Sequence, residues 1–231
     1  MIDFIPAAEF FKTIQPDERV SFLVRHGERG HILPNDPNHG ALVGLTDRGR
    51  DQALNLGHFI AAGMVDTSIS FFSSPVGRCM DTAKFIGLGF GIDSPNVEPL
   101  QSLAEFFVEH YDAYMETHRT GFYQGICRWL DGTAADQSYI DPAYFPLAKR
   151  SEELLQLMLS KGSSRINIFA THDAWVVPCL THFCGLKFTP QRWMNFLTGM
   201  AVVLPTNAVA TPENVKRIVP VTALHTGWML F

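Results

Sequence analysis

The chain of 231 residues is 46% hydrophobic and 18% charged, which is typical of one compact globular domain or two small ones and excludes a disordered chain or a collagen-like repeat. Its 18 Lys and Arg against 23 Asp and Glu give a formal net charge of -5, without runs of like charge. No nucleic-acid partner is therefore expected, because such a protein normally presents a broad basic face.

The cysteines and the N-terminal residues set the expected compartment. Among the four cysteines only Cys179 and Cys184 lie near each other, and their spacing fits neither a CxxC redox pair nor a common metal site. We expect four reduced, mostly buried thiols. Residues 1–15 lack the basic start and continuous apolar core of a signal peptide, and no stretch approaches about 18 uninterrupted apolar residues. A cytoplasmic protein without a membrane partner is expected.

The first predicted elements are a buried strand, a long loop and a helix. Residues 20–24, Val-Ser-Phe-Leu-Val, predict a strand that ends at the polar cluster 25–29, Arg-His-Gly-Glu-Arg. Residues 31–44 are rich in Pro, Asn, Asp and Gly and predict a loop, and loops of this length often carry function. Thr46 then predicts the N-cap of a helix that reaches about Gly63.

A second strand is predicted at residues 68–72, again directly before polar residues. Ser74 followed by Pro75 predicts a serine-capped helix with proline at its first position. Arg78 would then lie in the first turn of that helix. The sequence therefore places an arginine and a helix N-terminus at the end of this strand.

The middle of the chain predicts mainly helices. Apolar spacing indicates helical segments at about 102–117 and 123–130, which we interpret as a cap inserted into the domain around residues 100–141. A further helix is predicted at 144–160. Because no composition break separates this region from the rest, residues 1–231 are interpreted as a single domain with this cap insertion.

The last third of the chain returns to strands. Residues 165–170 alternate like a strand that ends at Thr-His-Asp, 171–173, and a helix is predicted over 174–184. Residues 200–204 and about 224–231 are interpreted as strands. This alternation of strands and helices predicts an α/β fold, a three-layer α/β/α sandwich with a mostly parallel central sheet.

Three polar clusters follow the predicted strands, at residues 25–29, at Ser74 with Arg78, and at His172 with Asp173. In open α/β sheets, ligands bind beyond the carboxyl ends of strands, so we expect the clusters to converge. Arginine offers a fork of donors that matches phosphate oxygens, and a helix N-terminus favours an anion. The sequence thus predicts a phosphate site that contains two histidines.

Four motifs occur in order: RHG at residues 25–27, LTxxGxxQA at 45–53, SSPxxRxxxTA at 73–83, and the late histidine motif at 171–173. In this order and spacing they resemble the motifs of the histidine phosphatase superfamily, which includes acid phosphatases, phytases and cofactor-dependent phosphoglycerate mutases. The resemblance spans residues 20 to about 178. A single RHG would be weak evidence, whereas four ordered motifs are specific.

The resemblance implies a role for each residue of the predicted site. His26 would be the nucleophile that attacks phosphorus and forms a phosphohistidine. Arg25 and Arg78 would clamp the non-bridging oxygens, and His172, charged when phosphate is bound, would complete the clamp. Arg29 fits the RHGxR pattern of the acid-phosphatase branch, in which the second arginine also contacts phosphate.

Two residues remain candidates for the proton donor to the leaving alkoxide. His172-Asp173 resembles the HD pair of the acid-phosphatase branch, in which the aspartate donates, and this favours Asp173. Leu103-Ala104-Glu105 resembles the mutase-like branch, in which a glutamate donates. A carboxylic acid donates only when protonated, so we expect a raised pKa for whichever residue serves in the substrate complex.

The predicted function is a metal-independent phosphomonoesterase acting on a small-molecule phosphate ester, with no cofactor. His31 and His39 match no common metal-ligand spacing. The alternatives are a phosphoglycerate mutase-like phosphotransferase, disfavoured because Glu28-Arg29 replaces that branch's usual continuation, and a non-catalytic phosphate-binding relative. Residues 87–141 contain only two arginines and no lysine, which favours a neutral or apolar leaving group over an inositol phosphate. Aromatic residues of the cap, Phe106, Phe107, Tyr111 and Tyr114, are candidates for lining its pocket.

Overall fold

A computed structural model describes residues 3–33, 36, 38, 40–104, 107–118, 121–135 and 141–230. The strands of the described residues are β1 (Ile5–Pro6), β2 (Glu18–Arg25), β3 (Ile69–Ser73), β4 (Val97–Pro99), β5 (Ile166–Thr171), β6 (Arg192–Met194), β7 (Thr198–Pro205), β8 (Arg217–Thr222) and β9 (Trp228–Leu230). The α-helices are α1 (Ala7–Phe10), α2 (Asp47–Gly63), α3 (Gly77–Phe90), α4 (Tyr111–His118), α5 (Phe122–Ala135), α6 (Leu147–Lys161) and α7 (Asp173–Cys184).

The described residues form a seven-stranded sheet in the order β1-β8-β7-β2-β5-β3-β4. The pairs β2–β5, β5–β3 and β3–β4 are parallel, as is β1–β8, whereas β7 runs antiparallel to both of its neighbours. The predicted α/β class with a mostly parallel sheet is confirmed. The strands β6 and β9 pair with each other in a separate antiparallel ribbon.

The central strands separate two hydrophobic cores. Side chains alternate between the faces of a strand, so Phe22 and Val24 of β2 pack with helices α2 and α3, and Leu23 between them packs with α6 and α7. The cap helices join the second core through aromatic side chains such as Trp129. Within the described residues, no helix has the length and hydropathy needed to cross a membrane.

Two predicted helices are shorter in the structure than the sequence indicates. Among the described residues of 102–117, only those of α4 are α-helical; a 3-10 turn lies at Gln101–Leu103, and Val108 forms a β-bridge with Tyr144 where the sequence predicts helix. The same bridge explains why α6 begins at Leu147 and not at residue 144. The prediction for 123–130 is confirmed and extended by α5.

The C-terminal strands also differ from the prediction. Of residues 224–231 only β9 is a strand, and it pairs with β6 outside the main sheet. The sheet strand near the C-terminus is β8, which the sequence analysis missed. Its apolar run contains Pro220, and a proline within such a run argues against a sheet strand.

Candidate active site

The carboxyl ends of three neighbouring strands bring the predicted site residues together. The backbone N–H of His26, just after β2, donates to Thr171 O of β5 at 2.9 Å. On the other side of β5, the backbone N–H of Ser74, just after β3, donates to Ala170 O at 2.9 Å. The His26 and His172 rings lie 5.6 Å apart between centroids, edge to face. The predicted convergence of the histidines is therefore present.

The loop after β2 lies against the first turn of α2 because two glycines meet there. A Cβ on Gly27 would lie 2.7 Å from the carbonyl oxygen of Gly49, and a Cβ on Gly49 would collide with the carbonyl of Glu28. The Gln52 side chain accepts a hydrogen bond from Glu28 N at 3.2 Å, and Thr46 caps the helix as predicted by accepting from Gly49 N at 3.0 Å. The RHG and LTxxGxxQA motifs thus form one structural unit that holds His26 in place.

Helix α3 supplies Arg78, but it does not begin as predicted. The helix starts at Gly77 with no side-chain cap, whereas Ser74 had been predicted to cap it. The Ser74 hydroxyl instead contacts His172 Nε2 at 3.2 Å and accepts from Val76 N at 3.3 Å. The Ser74 hydroxyl therefore contacts His172 in the site and does not cap α3.

Thr82 connects α3 to the loop that carries His26. Its hydroxyl accepts from Gly27 N at 3.0 Å and donates to the carbonyl of Arg78 at 2.7 Å. All of these groups are buried. The TA part of the third motif therefore fixes the distance between the two chain segments that contribute His26 and Arg78.

The guanidinium of Arg78 contacts both histidines. Its Nε donates to His26 Nε2 at 3.1 Å, and Nη2 lies 3.2 Å from His172 Nδ1. Its Nη1 donates to the carbonyl of Gly40 at 2.7 Å, which ties the long loop to the site. Gly40 has a φ of 77°, a left-handed conformation that favours glycine.

These contacts assign the protons of His26. A carbonyl only accepts, so the contact of 2.8 Å from His26 Nδ1 to Gly27 O requires a proton on Nδ1. The Nε2 atom, which accepts from Arg78, then carries the lone pair. Burial lowers the pKa of His26 well below its ordinary value of 6.5, and the charges of Arg25 and Arg78 lower it further. His26 is therefore a neutral imidazole, and its nucleophilic Nε2 faces Arg78.

His172 is also neutral in this structure. Because arginine only donates, His172 Nδ1 accepts from Arg78, and Nε2 carries the proton that is donated to Ser74. Burial lowers the pKa of His172, and the nearby Arg78 charge lowers it further. Cys79 Sγ lies 3.6 Å from His172 Nε2, and burial raises the pKa of this thiol to about 12. The expected charging of His172 concerns the phosphate complex and stays a prediction.

Arg25 carries a buried donor that no protein group satisfies. Its Nη2 pairs with an Asp173 carboxylate oxygen at 3.0 Å, and its Nη1 donates to Met194 O at 2.6 Å. The guanidinium carbon lies 4.3 Å from the centre of the Phe196 ring. Its Nε, however, is buried without a hydrogen-bond partner. An unpaired buried donor is costly, and an anion beside it would remove that cost.

The two candidate proton donors differ in what the structure describes. Asp173 is ionised: burial raises its pKa, but Arg25 and the Trp193 indole N–H, which donates at 3.0 Å, outweigh this and lower it. Proton donation requires a raised pKa, whereas the Asp173 pKa is lowered in this structure. Glu105 lies outside the described residues. Nearby in the chain, the carbonyl of Leu103 accepts from the Thr171 hydroxyl at 2.7 Å, beside the end of β5.

Arg29 lies at the edge of the same site. It is half-buried, and its Nη1 donates to Gly30 O at 2.9 Å. Burial lowers its pKa, and the positive charges of Arg25 and Arg78 lower it further. Three arginines thus crowd one small volume, an arrangement that attracts a multiply charged anion.

In the part of the chain that the structure describes, no group of three or more His, Cys, Asp or Glu side chains is arranged so that it could hold a metal ion. Of the two loop histidines considered from the sequence, His31 is exposed and His39 lies outside the described residues. All four cysteines are buried and free, as predicted.

Sequence reasoning missed several groups of the site. Trp193 is buried, and its indole N–H donates to Asp173. Phe196, over Arg25, and the carbonyl of Gly40 carried no recognised signal. Tyr123 hydrogen-bonds Arg25 through its hydroxyl, and its ring lies 4.8 Å from that of Trp193.

A family model, described as the histidine phosphatase superfamily (branch 1), matches residues 21–207. The chain belongs to the histidine phosphatase superfamily. No curated protein sequence matches it at a significant level.

Solved structures share the fold of this histidine phosphatase at low sequence identity. A mycobacterial glucosyl-3-phosphoglycerate phosphatase has 17% identity and a TM-score of 0.54, with 90% of this chain and 100% of that chain covered. A phosphoserine phosphatase from Entamoeba histolytica, in complex with 3-phosphoglyceric acid, has 18% identity and a TM-score of 0.50, covering 87% and 96%. A phosphoglycerate mutase from Bacillus anthracis has 15% identity and a TM-score of 0.50, covering 82% and 89%.

Proposed function

We propose that this histidine phosphatase is a metal-independent phosphomonoesterase that hydrolyses small-molecule phosphate esters through a phosphohistidine at His26. One observation carries the proposal: a neutral imidazole directs its Nε2 lone pair into a site walled by Arg25, Arg29 and Arg78. A nucleophile that is unprotonated at neutral pH needs no separate base, and the arginines match the charge of a phosphate ester.

Substrate binding would use the donors that the protein leaves available. Arg78 has five N–H groups, of which three contact His26, His172 and Gly40, so two remain for non-bridging oxygens. The unpaired Nε of Arg25 adds another donor. These groups are fixed before the substrate arrives, which is the condition for stabilising the charge that develops on the transferring phosphoryl group.

Phosphoryl transfer follows from the His26 tautomer. The Nε2 lone pair leaves its hydrogen bond with Arg78 Nε and forms the bond to phosphorus as the bond from phosphorus to the leaving oxygen breaks, and the freed Nε–H of Arg78 then donates to a phosphoryl oxygen. The imidazole thereby becomes positive, and the carbonyl of Gly27, which already accepts from Nδ1, stabilises that charge. A water molecule then attacks the phosphohistidine, gives up its proton to the conjugate base of the donor, and releases phosphate together with neutral His26.

The leaving alkoxide must gain a proton from Asp173 or Glu105. Asp173 becomes able to donate if the ester draws Arg25 away from it and adds its own negative charge, since both changes raise the Asp173 pKa. Glu105 comes two residues after Leu103 in the chain, and the carbonyl of Leu103 accepts from Thr171 at the end of β5. Both residues stay candidates.

The proposal is tested with p-nitrophenyl phosphate in excess EDTA. Wild type should release phosphate, and His26→Ala should lose about a thousandfold or more of that rate. His31→Ala, which changes an exposed histidine in the adjoining loop, is the matched control and should keep wild-type turnover. Activity that survives in His26→Ala would refute the covalent mechanism, and activity abolished by EDTA would refute metal independence. Wild type that interconverts phosphoglycerates without releasing phosphate would establish the mutase-like alternative.

The donor is identified with two substrates that differ in the leaving group. p-Nitrophenolate leaves without a proton, whereas the alkoxide of glycerol 2-phosphate needs one. The donor variant, Asp173→Asn or Glu105→Gln, should lose about a hundredfold on glycerol 2-phosphate and little on p-nitrophenyl phosphate. An equal loss on both substrates in Asp173→Asn would assign that residue to holding Arg25.

A further inference from the structure

Helices α4 and α5 place two tyrosines beside Asp173. Tyr123, on α5, hydrogen-bonds Arg25 and packs against Trp193, whose indole N–H donates to Asp173. Tyr114, on α4, is close enough for the Asp173 charge to act on it: burial raises the pKa of this phenol to about 12, and Tyr111 and Asp173 contribute to the rise. Both phenols are uncharged at neutral pH and lie next to the groups proposed to bind phosphate.

Tyr114 also lines a narrow crevice that reaches the first turn of α7. The lining includes Phe107, Trp129 and Tyr144, and it ends at Ala174, the residue after Asp173. Every side chain of this lining is apolar or aromatic. Phe107, Trp129 and Tyr144 are buried, whereas Tyr114 is half-buried, so the Tyr114 ring is the part of this apolar cluster that stays accessible.

The charged residues near Tyr114 and Tyr123 disfavour a second anionic group on the substrate. The cations of the described site, Arg25, Arg29 and Arg78, surround the position proposed for phosphate. Beyond them lies the ionised Asp173. Helices α4 and α5 contain no lysine and a single arginine, Arg128, which is exposed and whose charge acts on Tyr144 of the crevice. A carboxylate on a leaving group beside Asp173 would meet the negative charge of that residue.

We infer that the leaving group is an uncharged alcohol carrying an aromatic or alicyclic ring, which packs against Tyr114 and Tyr123. This inference names the substrate class and rests on the proposed phosphatase function. Rings pack on aromatic side chains at offset or edge-to-face geometries, and a phenol hydroxyl at the rim offers one neutral hydrogen bond. The mycobacterial and Entamoeba phosphatases described above are named for glucosyl-3-phosphoglycerate and phosphoserine, and the leaving group inferred for this chain differs from both in carrying no charge.

The inference is tested first on esters whose leaving groups are all alkoxides. The rate constant kcat/KM for 2-phenylethyl phosphate should exceed that for 3-phosphoglycerate and for O-phosphoserine by about tenfold or more. Tyr114→Arg introduces a cation and should lower or reverse this preference. Met115→Arg places the same charge on an exposed position of the same helix and should leave the preference unchanged. Equal kcat/KM values in wild type, or the same shift in both variants, would overturn the inference.

A binding measurement separates this inference from the proposed function. In His26→Ala, where no turnover is expected, calorimetry should find that benzylphosphonate binds about tenfold or more tightly than phosphonoacetate. Tighter binding of phosphonoacetate would overturn the substrate class even if wild type hydrolyses p-nitrophenyl phosphate. Preferential benzylphosphonate binding without any hydrolysis by wild type would refute the proposed function and leave the recognition of the ring supported.

Discussion

Replacement of Arg78 by lysine tests whether the planar guanidinium fork, and not its charge alone, organises the site. Arg78 uses three different nitrogens for three contacts, with His26 at 3.1 Å, His172 at 3.2 Å and Gly40 at 2.7 Å. A lysine ammonium is a single point on a flexible stem and cannot reach all three partners. Arg78→Lys therefore keeps the positive charge but loses the fixed arrangement of the three donors.

The expected loss follows from the number of contacts. If lysine retains one of the three, two charge-assisted hydrogen bonds are lost, at about 1.5 kcal/mol each as a lower bound. A total of about 3 kcal/mol corresponds to a fall in kcat/KM of roughly a hundredfold. Because Arg78 also orients His26, whose Nε2 accepts from it, most of the fall should appear in kcat.

The assay is steady-state hydrolysis of p-nitrophenyl phosphate, with urea unfolding to confirm that the variant is folded. Arg48→Lys is the matched control, because the Arg48 side chain is 77% exposed and contacts only Glu28, at 3.6 Å, among the ion pairs of the described residues. This control should retain wild-type kcat/KM. Arg78→Lys within about threefold of wild type would refute the argument that the fork holds the two histidines.

Two further predictions concern stability. Because His26 and His172 are neutral in the fold while their pKa in the unfolded chain is near 6.5, the unfolded state binds more protons below that pH. The free energy of unfolding should therefore fall by up to about 1.4 kcal/mol per pH unit for each histidine as the pH drops from 6.5, and His172→Asn should make the fall shallower in urea titrations. An unchanged slope in that variant would contradict the assignment. Thr82→Val leaves the buried Gly27 N–H unpaired and should lower the free energy of unfolding by about 1 to 3 kcal/mol, whereas wild-type stability would show that this contact is dispensable.

The elements that could be predicted from the sequence are those whose signals are local. The strands predicted at 20–24, 68–72 and 165–170 are short apolar runs that end in polar clusters, and β2, β3 and β5 lie within a residue or two of these bounds. Thr46 caps α2 as predicted, because its hydroxyl oxygen accepts from Gly49 N in the first turn while its proton is donated to Glu28. At these positions, residues that are close in the sequence determine the local structure.

Tertiary contacts decided the elements and groups that were missed. Ser74 fits the pattern of a helix cap, but its hydroxyl bonds to His172, almost a hundred residues away in the chain. A tryptophan in an apolar stretch is typical of a core residue. The indole N–H of Trp193 reaches Asp173 only because the fold brings the two residues together. The Gly40 contact uses a backbone carbonyl, which every residue type carries, so no sequence pattern marks it.

The most direct test of the phosphohistidine at His26 is rapid-quench trapping with radiolabelled p-nitrophenyl phosphate, followed by peptide mapping. The account predicts label that resists alkali, is released by acid, and maps to the peptide containing His26, with none in His26→Ala. Label that resists acid, label on another side chain, or turnover in His26→Ala at the wild-type rate would contradict it.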